Sequence, residues 1–288
     1  MFVKAIEAVS PTVRPMHIIR RKFQDNAIAP DIATFFFVNE RGYAITTKRV
    51  ATIMQAANTV EQKYRLYLDQ KSKLSHDESY RFTLKRLEND MKLTKDSVIQ
   101  IRFAFMGCAS GTVKVECKPH PKYDLALLHF ITDGQYLYRE HVTFAERAPK
   151  QGQSVCRLGF PIPDFQNYRY DPDQDTIQFT DTGKSVSATF ALDGMVTRYI
   201  SDGERAFGIE TTNAGPLGMN GSPLFDVNGH VVGMQSGVGL MMLGTDIKMD
   251  LPNHEQFVDH GAMHLAVHTH LDVIKDFLRA QDVLFYEA

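Results

Sequence analysis

Short apolar runs separated by polar turns dominate the chain. "ATFFFVNERGYAITT" (33–47), "SVIQIRFAF" (97–105), "GTVKVECK" (111–118), "DLALLHFI" (124–131), "QSVCRLGF" (153–160), "SVSATFAL" (185–192) and "GMVTRYISDGERAFGIETT" (194–212) each have strand length and β-type composition. Gly, Asn and Asp punctuate them, a pattern that favours a β sandwich or barrel over a parallel α/β sheet. In "SPLFDVNGHVVGMQ" (222–235) two apolar runs meet at Asn228-Gly229, a dipeptide that predicts a hairpin with a tight type I′ turn.

One region has a different period. Val50, Met54, Ala57, Val60, Tyr64 and Tyr67 recur at helical steps, as do Tyr80, Leu84, Leu87 and Met91 after the polar break "KLSHDES". Ser75 and Glu78 predict a capping box for the second helix. A helical hairpin over about 51–95 is therefore expected inside a β framework, each apolar stripe covered from within the chain. At the end, Thr269 is the expected cap of a helix, with Asp272 at its third position and Val273, Ile274, Phe277 and Leu278 as its buried stripe.

Composition changes this picture little. With 43% hydrophobic and 23% charged residues the chain reads as an ordinary globular protein. A formal net charge of -2 gives no electrostatic case for nucleic acid or an anionic membrane as partner. Arg20, Arg21 and Lys22 read as a solvated strand end. No run approaches a membrane span or a signal peptide. Cys108, Cys117 and Cys156 read as reduced thiols, and the expected location is the cytoplasm. His260, His264, His268 and His270 tempt a metal reading. On a strand, however, His264 and His268 lie roughly 13 Å apart, so a site would need His254 or His260 to fold back, and neither metal nor cofactor is expected.

Three segments in series carry a resemblance: "GYAITTKRV" (42–50), "KYDLALLHF" (122–130) and "GMNGSPLFDVNGHVVGMQSG" (218–237). In order and spacing they resemble the trypsin-like serine proteases, especially the HtrA-like bacterial branch. "AIEAVSPTV", "LGFP", "GMVTR" and the terminal helix extend the likeness. The helical hairpin and the polar loop "DFQNYRYDPDQDTIQFTDTGK" (164–184) fall outside it. The resemblance implies a mainly β, trypsin-like double β-barrel with an inserted helical hairpin and a C-terminal helix. Its first lobe is expected at 1–145 and its second at 146–288.

The same resemblance assigns the site position by position. The triad histidine falls on Arg49, the aspartate is kept as Asp124, and the nucleophile falls on Asn220. A guanidinium cannot serve as the base and a carboxamide has no comparable nucleophilic oxygen, so two of three triad members are missing. Asp124 is expected to pair with Arg49 as a charge-assisted fastener, with Asn220 able to bridge Arg49 and the loop backbone. Ser236 matches the family serine that hydrogen-bonds the aspartate. The oxyanion-hole amides map to Gly218 and Asn220, and Ala214 and Leu217 to a small or apolar side-chain pocket. Ser236, Gly237 and Val238 map to the edge on which a peptide adds as a strand. Ser222, His120 and His129 are not expected to replace the lost groups. The expected function is a pseudoprotease that binds a peptide or partner protein. An active peptidase with non-standard or partner-supplied residues, and a structural subunit of an assembly, are the rival readings.

Overall fold

The computed structural model describes residues 1–75, 77–250, 252 and 255–288, with backbone only at Leu217 and Asp259. The first sheet holds β1 (Val13–Lys22), β2 (Ile28–Phe37), β3 (Tyr43–Thr46), β4 (Val98–Phe105), β5 (Val113–Pro119) and β6 (Ala126–Thr132), in the order β4-β1-β2-β3-β6-β5. The second is built from β7 (Thr143–Phe144), β8 (Ser154–Gly159), β11 (Phe190–Ser201), β12 (Ala206–Thr211), β13 (Pro223–Phe225), β14 (Val231–Met242), β17 (Ala262–His270) and β18 (Tyr286–Glu287). A pairing between β13 and β14 closes it on itself. These are two curled antiparallel sheets, as expected of the double barrel. A shared core joins them, with Ile32, Phe36, Ile45 and Leu127 from the first sheet meeting Val155, Leu158, Leu224 and Val231 from the second.

The helical hairpin is present between β3 and β4 as α2 (Lys48–Ser72) and α3 (Tyr80–Asp90), following a short N-terminal helix α1 (Val3–Val9). The first sheet leaves β4 and β5 unpaired with each other, and α2 lies across both. Val50 and Ala57 join the core of that sheet, while Tyr64 and Tyr67 pack with Phe23, Ile99, Leu84 and Leu87. The apolar stripes are thus covered within the chain. No helix among the described residues is long and apolar enough to cross a membrane.

Several local expectations are corrected. Helix α3 begins at Tyr80 with Ser79 as its N-cap residue, so Ser75 and Glu78 form no capping box. The Asp77 carboxylate accepts from the Ser79 amide instead and fixes the turn one step later. The terminal helix α4 (Leu271–Ala280) is capped by the His270 side chain, which accepts from the Asp272 amide, because β17 runs on through Thr269. In the 222–235 hairpin only Gly229 of the turn has positive φ, at 88°. The turn is closed by Gly229 N–H to Asp226 O, and the Asp226 carboxylate accepts from the amides of Asn228 and His230. Asn228 is therefore spared the left-handed conformation that a type I′ turn demands.

Residues 185–189 precede rather than form a strand, and the "polar loop" contains a hairpin, β9 (Tyr168–Asp171) with β10 (Thr176–Phe179). Its Ile177 buries against Ile19 and Phe165. Beside it, Arg21 is buried rather than solvated. It lies 2.8 Å from the Asp175 carboxylate and donates to Gln100, between the rings of Tyr64 and Tyr170. A short basic run cannot reveal that its middle member faces a carboxylate 154 residues away.

Candidate functional site

The cleft takes its first wall from the end of β3, the start of α2 and the turn into β6. Strand β3 ends at Thr46, Thr47 turns the chain, and α2 starts at Lys48 with Arg49 in its first turn. The backbone amide of Arg49 donates to Asp124 Oδ1 at 3.1 Å. The guanidinium makes no ion pair among the described residues. The expected Arg49–Asp124 side-chain fastener is therefore corrected: Asp124 satisfies the exposed amides of a helix N-terminus, where a carboxylate is favoured by both hydrogen bonding and the helix dipole. Burial lifts the Asp124 carboxyl above the ordinary range, against the amides and charges of Arg49 and Lys48, which pull it down. Ser236 does not reach Asp124. It sits at a bulge between Gln235 and Gly237, and its hydroxyl donates to the Val267 carbonyl.

The second wall is the loop from Asn213 to Ser222, which carries a 3-10 turn, Leu217–Met219. Asn220 is buried and its Oδ1 accepts from Gln235 Nε2 at 3.1 Å, so its expected bridge to Arg49 is replaced by a bond within its own lobe. Asn220 and Arg49 nevertheless line one small cavity of about 120 Å³ with Arg20, Asp31 and Thr47. Arg20 and Asp31 pair with each other beside it. Gly221 lies at φ +92°, and a Cβ there would overlap the Thr34 carbonyl oxygen. Only glycine permits this approach of the loop to β2.

Thr34 holds the two walls together and was not singled out by the sequence. Its amide donates to the Asn220 carbonyl, its hydroxyl donates to the Gly218 carbonyl at 3.1 Å, and the same Oγ accepts from the Phe160 amide. Its own carbonyl accepts from Thr46 Oγ. A lone hydroxyl inside the run "IATFFF" was the available signal, because a buried hydroxyl needs partners.

Beneath the Ala214–Leu217 segment, where a small or apolar pocket is expected, lies a charged side chain. Arg157 of β8 is fully buried, and its Nη2 donates to the Ala214 carbonyl while Nε and Nη1 have no partner. Burial pushes its pKa down to about 10. Burial and the Arg157 charge push His268 down to about 3. His268 stands opposite Gln235 across β14 and β17, and His268 Nε2 and Gln235 Oε1 are likewise unpartnered. The Ala214 side chain faces solvent. The Leu217 side chain lies outside the description.

Beyond the loop, Ser236, Gly237 and Val238 lie on β14 with β17 on one side. No strand among the described residues pairs with them on the other, and a side chain at Gly237 would meet open space.

The remaining candidates lie apart from this cleft. The His120 ring accepts from the amides of Lys122 and Tyr123 and rests on Phe277; His129 stacks on Tyr43 at 4.1 Å. Ser222 Oγ is buried against Gly159. One Ser–His contact exists elsewhere: Ser187 Oγ lies 3.1 Å from His17 Nε2, with His17 stacked on Phe165 and pushed by burial down to about 4. His260 contacts Asp246, His264 lies opposite Leu240, and His254 lies outside the described residues. The cysteines are free thiols, with burial raising the pKa of each.

The profile of the trypsin-like peptidase domain matches residues 33–234, and the chain belongs to that family. No curated protein matches it.

Proposed function

We propose that this member of the trypsin-like peptidase family acts by binding a peptide or a partner protein rather than by cleaving one. The observation that carries the reading is the content of the cleft. Arg49 and Asn220, which the resemblance sets at the base and nucleophile positions, line one cavity, and Ser236–Val238 has an unpaired edge among the described residues. Acyl transfer needs a hydroxyl or thiol and a base that takes its proton near neutral pH. Strand addition needs only main-chain donors and acceptors with room beside them. The Gly218 and Asn220 amides remain a candidate cradle for a peptide carbonyl or carboxylate. The reading places the protein in the cytoplasm.

The test is a peptide-array screen of the purified protein followed by titration of the hits, with activated-ester turnover measured in parallel. Binding without turnover is expected. Gly237→Val, which fills the open edge without touching the core, is expected to weaken binding at least about tenfold. Ester turnover abolished by cleft substitutions would overturn the reading. The double variant Arg49→His with Asn220→Ser is expected to raise ester hydrolysis about a hundredfold over the wild type, the range of a base-assisted step.

A second reading, an active hydrolase with unorthodox residues, has one specific support in the Ser187–His17 contact. Ser187 is 4% exposed and His17 has no partner on Nδ1, so neither access nor an orienting group accompanies the pair. Labelling by a fluorophosphonate that disappears in Ser187→Ala would favour it.

A further inference from the structure

Strands β14 and β17 continue beyond the second sheet as a two-stranded ribbon. Past Gly244 and Gly261 it continues into a second ladder, β15 (Ile247–Asp250) with β16 (Gln256–Asp259). Cross-strand register sorts its side chains. Val238, Leu240 and Met242 share one face with Ala262, His264 and Ala266, whereas Met241 and Met263, directly opposite each other, share the reverse face. At the tip Ile247, Met249 and Phe257 fall on a single face. Apart from the buried Leu265, the large apolar members stand open to solvent: Leu240 is 63% exposed, Met242 58%, and the three tip residues about half.

A two-stranded ribbon is marginally stable in water at best, and this one is apolar on both faces over its proximal half. A patch of this kind on a soluble domain marks a contact surface. Summed over both faces and the tip and weighted by exposure, the ribbon's large apolar side chains offer on the order of 800 Å² per copy, one partner's share of a standard stable interface when the partner wraps the ribbon. Gly237–Thr245 contains no ionisable residue, Gly261–Val267 has only His264, and the charges Asp246, Lys248, Asp250 and Glu255 lie at the tip. Over the proximal half two ribbons can therefore approach without bringing like charges together.

We propose that the ribbon is the interface of a two-fold dimer, its occupant a second copy of this chain. The contact is isologous: each ribbon presents the surface that the other covers. The substitutions that test it lie beyond the Ser236–Val238 edge assigned to the ligand above, so the two readings are tested separately.

Sedimentation velocity of the full chain over a wide dilution series tests this, with flotation on phosphatidylcholine vesicles alongside. The wild type is expected to sediment as a dimer that dissociates on dilution and does not float. Leu240→Lys with Met242→Lys, both on the exposed face, is expected to raise the dimer dissociation constant at least about a hundredfold. Ile247→Asp with Phe257→Asp tests the tip independently, and circular dichroism checks that each variant folds. A wild type that stays monomeric at every loading overturns the proposal. So does a dimer whose dissociation constant is unmoved by both variant pairs, or a monomer that floats with the vesicles, which would assign the face to lipid.

Discussion

The two walls of the cleft treat their polar groups differently. On the first wall the retained aspartate is committed: Asp124 accepts from the first turn of α2 and keeps that helix anchored to the sheet. On the second wall several buried polar groups are only partly satisfied, with Arg157 Nε and Nη1, Gln235 Oε1, His268 Nε2 and Ser222 Oγ lacking partners, whereas on the first wall it is Thr47 Oγ1 that lacks one. Buried polar groups are nearly always hydrogen-bonded, and a buried charge without a counter-ion costs several kcal/mol. The contrast with Arg21, which has a carboxylate, an amide and two aromatic faces around it, shows that this chain can satisfy a buried guanidinium fully where the role is structural. The first wall is architecture. The second buries more bonding capacity than its own atoms satisfy.

Substitutions can break or sharpen this contrast. The largest effect is expected at the seam between the walls. Gly221→Ala combines positive φ with overlap on the Thr34 carbonyl and should cost upwards of about 4 kcal/mol in a denaturant titration. Thr34→Val strips the Phe160 amide and the Gly218 carbonyl of their partner, for an expected ~2–3 kcal/mol. Limited proteolysis of this variant should show earlier cutting within 213–222; an unchanged pattern would separate Thr34 from control of the loop.

On the first wall, Asp124→Ala removes a helix-terminal acceptor and should cost about 1–2 kcal/mol. Arg49→Ala, which leaves the backbone contact intact, should stay within about 0.5 kcal/mol. Asp124→Asn keeps an acceptor and removes the charge. Because the folded-state pKa of Asp124 is raised, its protonated form favours folding, and that contribution is lost as pH rises through the folded value. Melting temperature against pH should therefore fall more for the wild type than for Asp124→Asn just above the ordinary carboxylate range; parallel curves would contradict this.

On the second wall no loss of stability is expected. Arg157→Met exchanges an unpaired buried charge for an apolar chain of similar length and should be neutral or stabilising by about 1 kcal/mol. A loss of several kcal/mol there would mean the guanidinium has partners after all, and the contrast between the walls would fail.

How much was legible in advance can be argued from these same residues. The helical hairpin was readable because Val50, Ala57, Tyr64 and Tyr67 follow a local period, and all four are buried. The capping box at Ser75 and Glu78 failed because Asp77, inside the same break, offers a competing turn. In the site, the family resemblance pointed to Arg49, Asp124 and Asn220; Arg49 and Asn220 line one cavity, and the Arg49 amide meets Asp124. The resemblance could not say that Asp124 meets an amide rather than a guanidinium, nor that Ser236 turns away at a bulge. Thr34 and Arg157 stayed silent because their meaning lies in partners 184 and 57 residues distant.

The sequence by itself determined the chemistry available at each position and the periods that make strands and helices. That residue 49 is an arginine and residue 220 a carboxamide are facts of residue identity, and no folding alters them. Only the tertiary structure decided which polar groups find partners, because burial and hydrogen bonding are set by atoms that arrive from elsewhere in the chain. That is why Arg21 became a strut, Arg157 an unmatched charge and Asp124 the anchor of a helix.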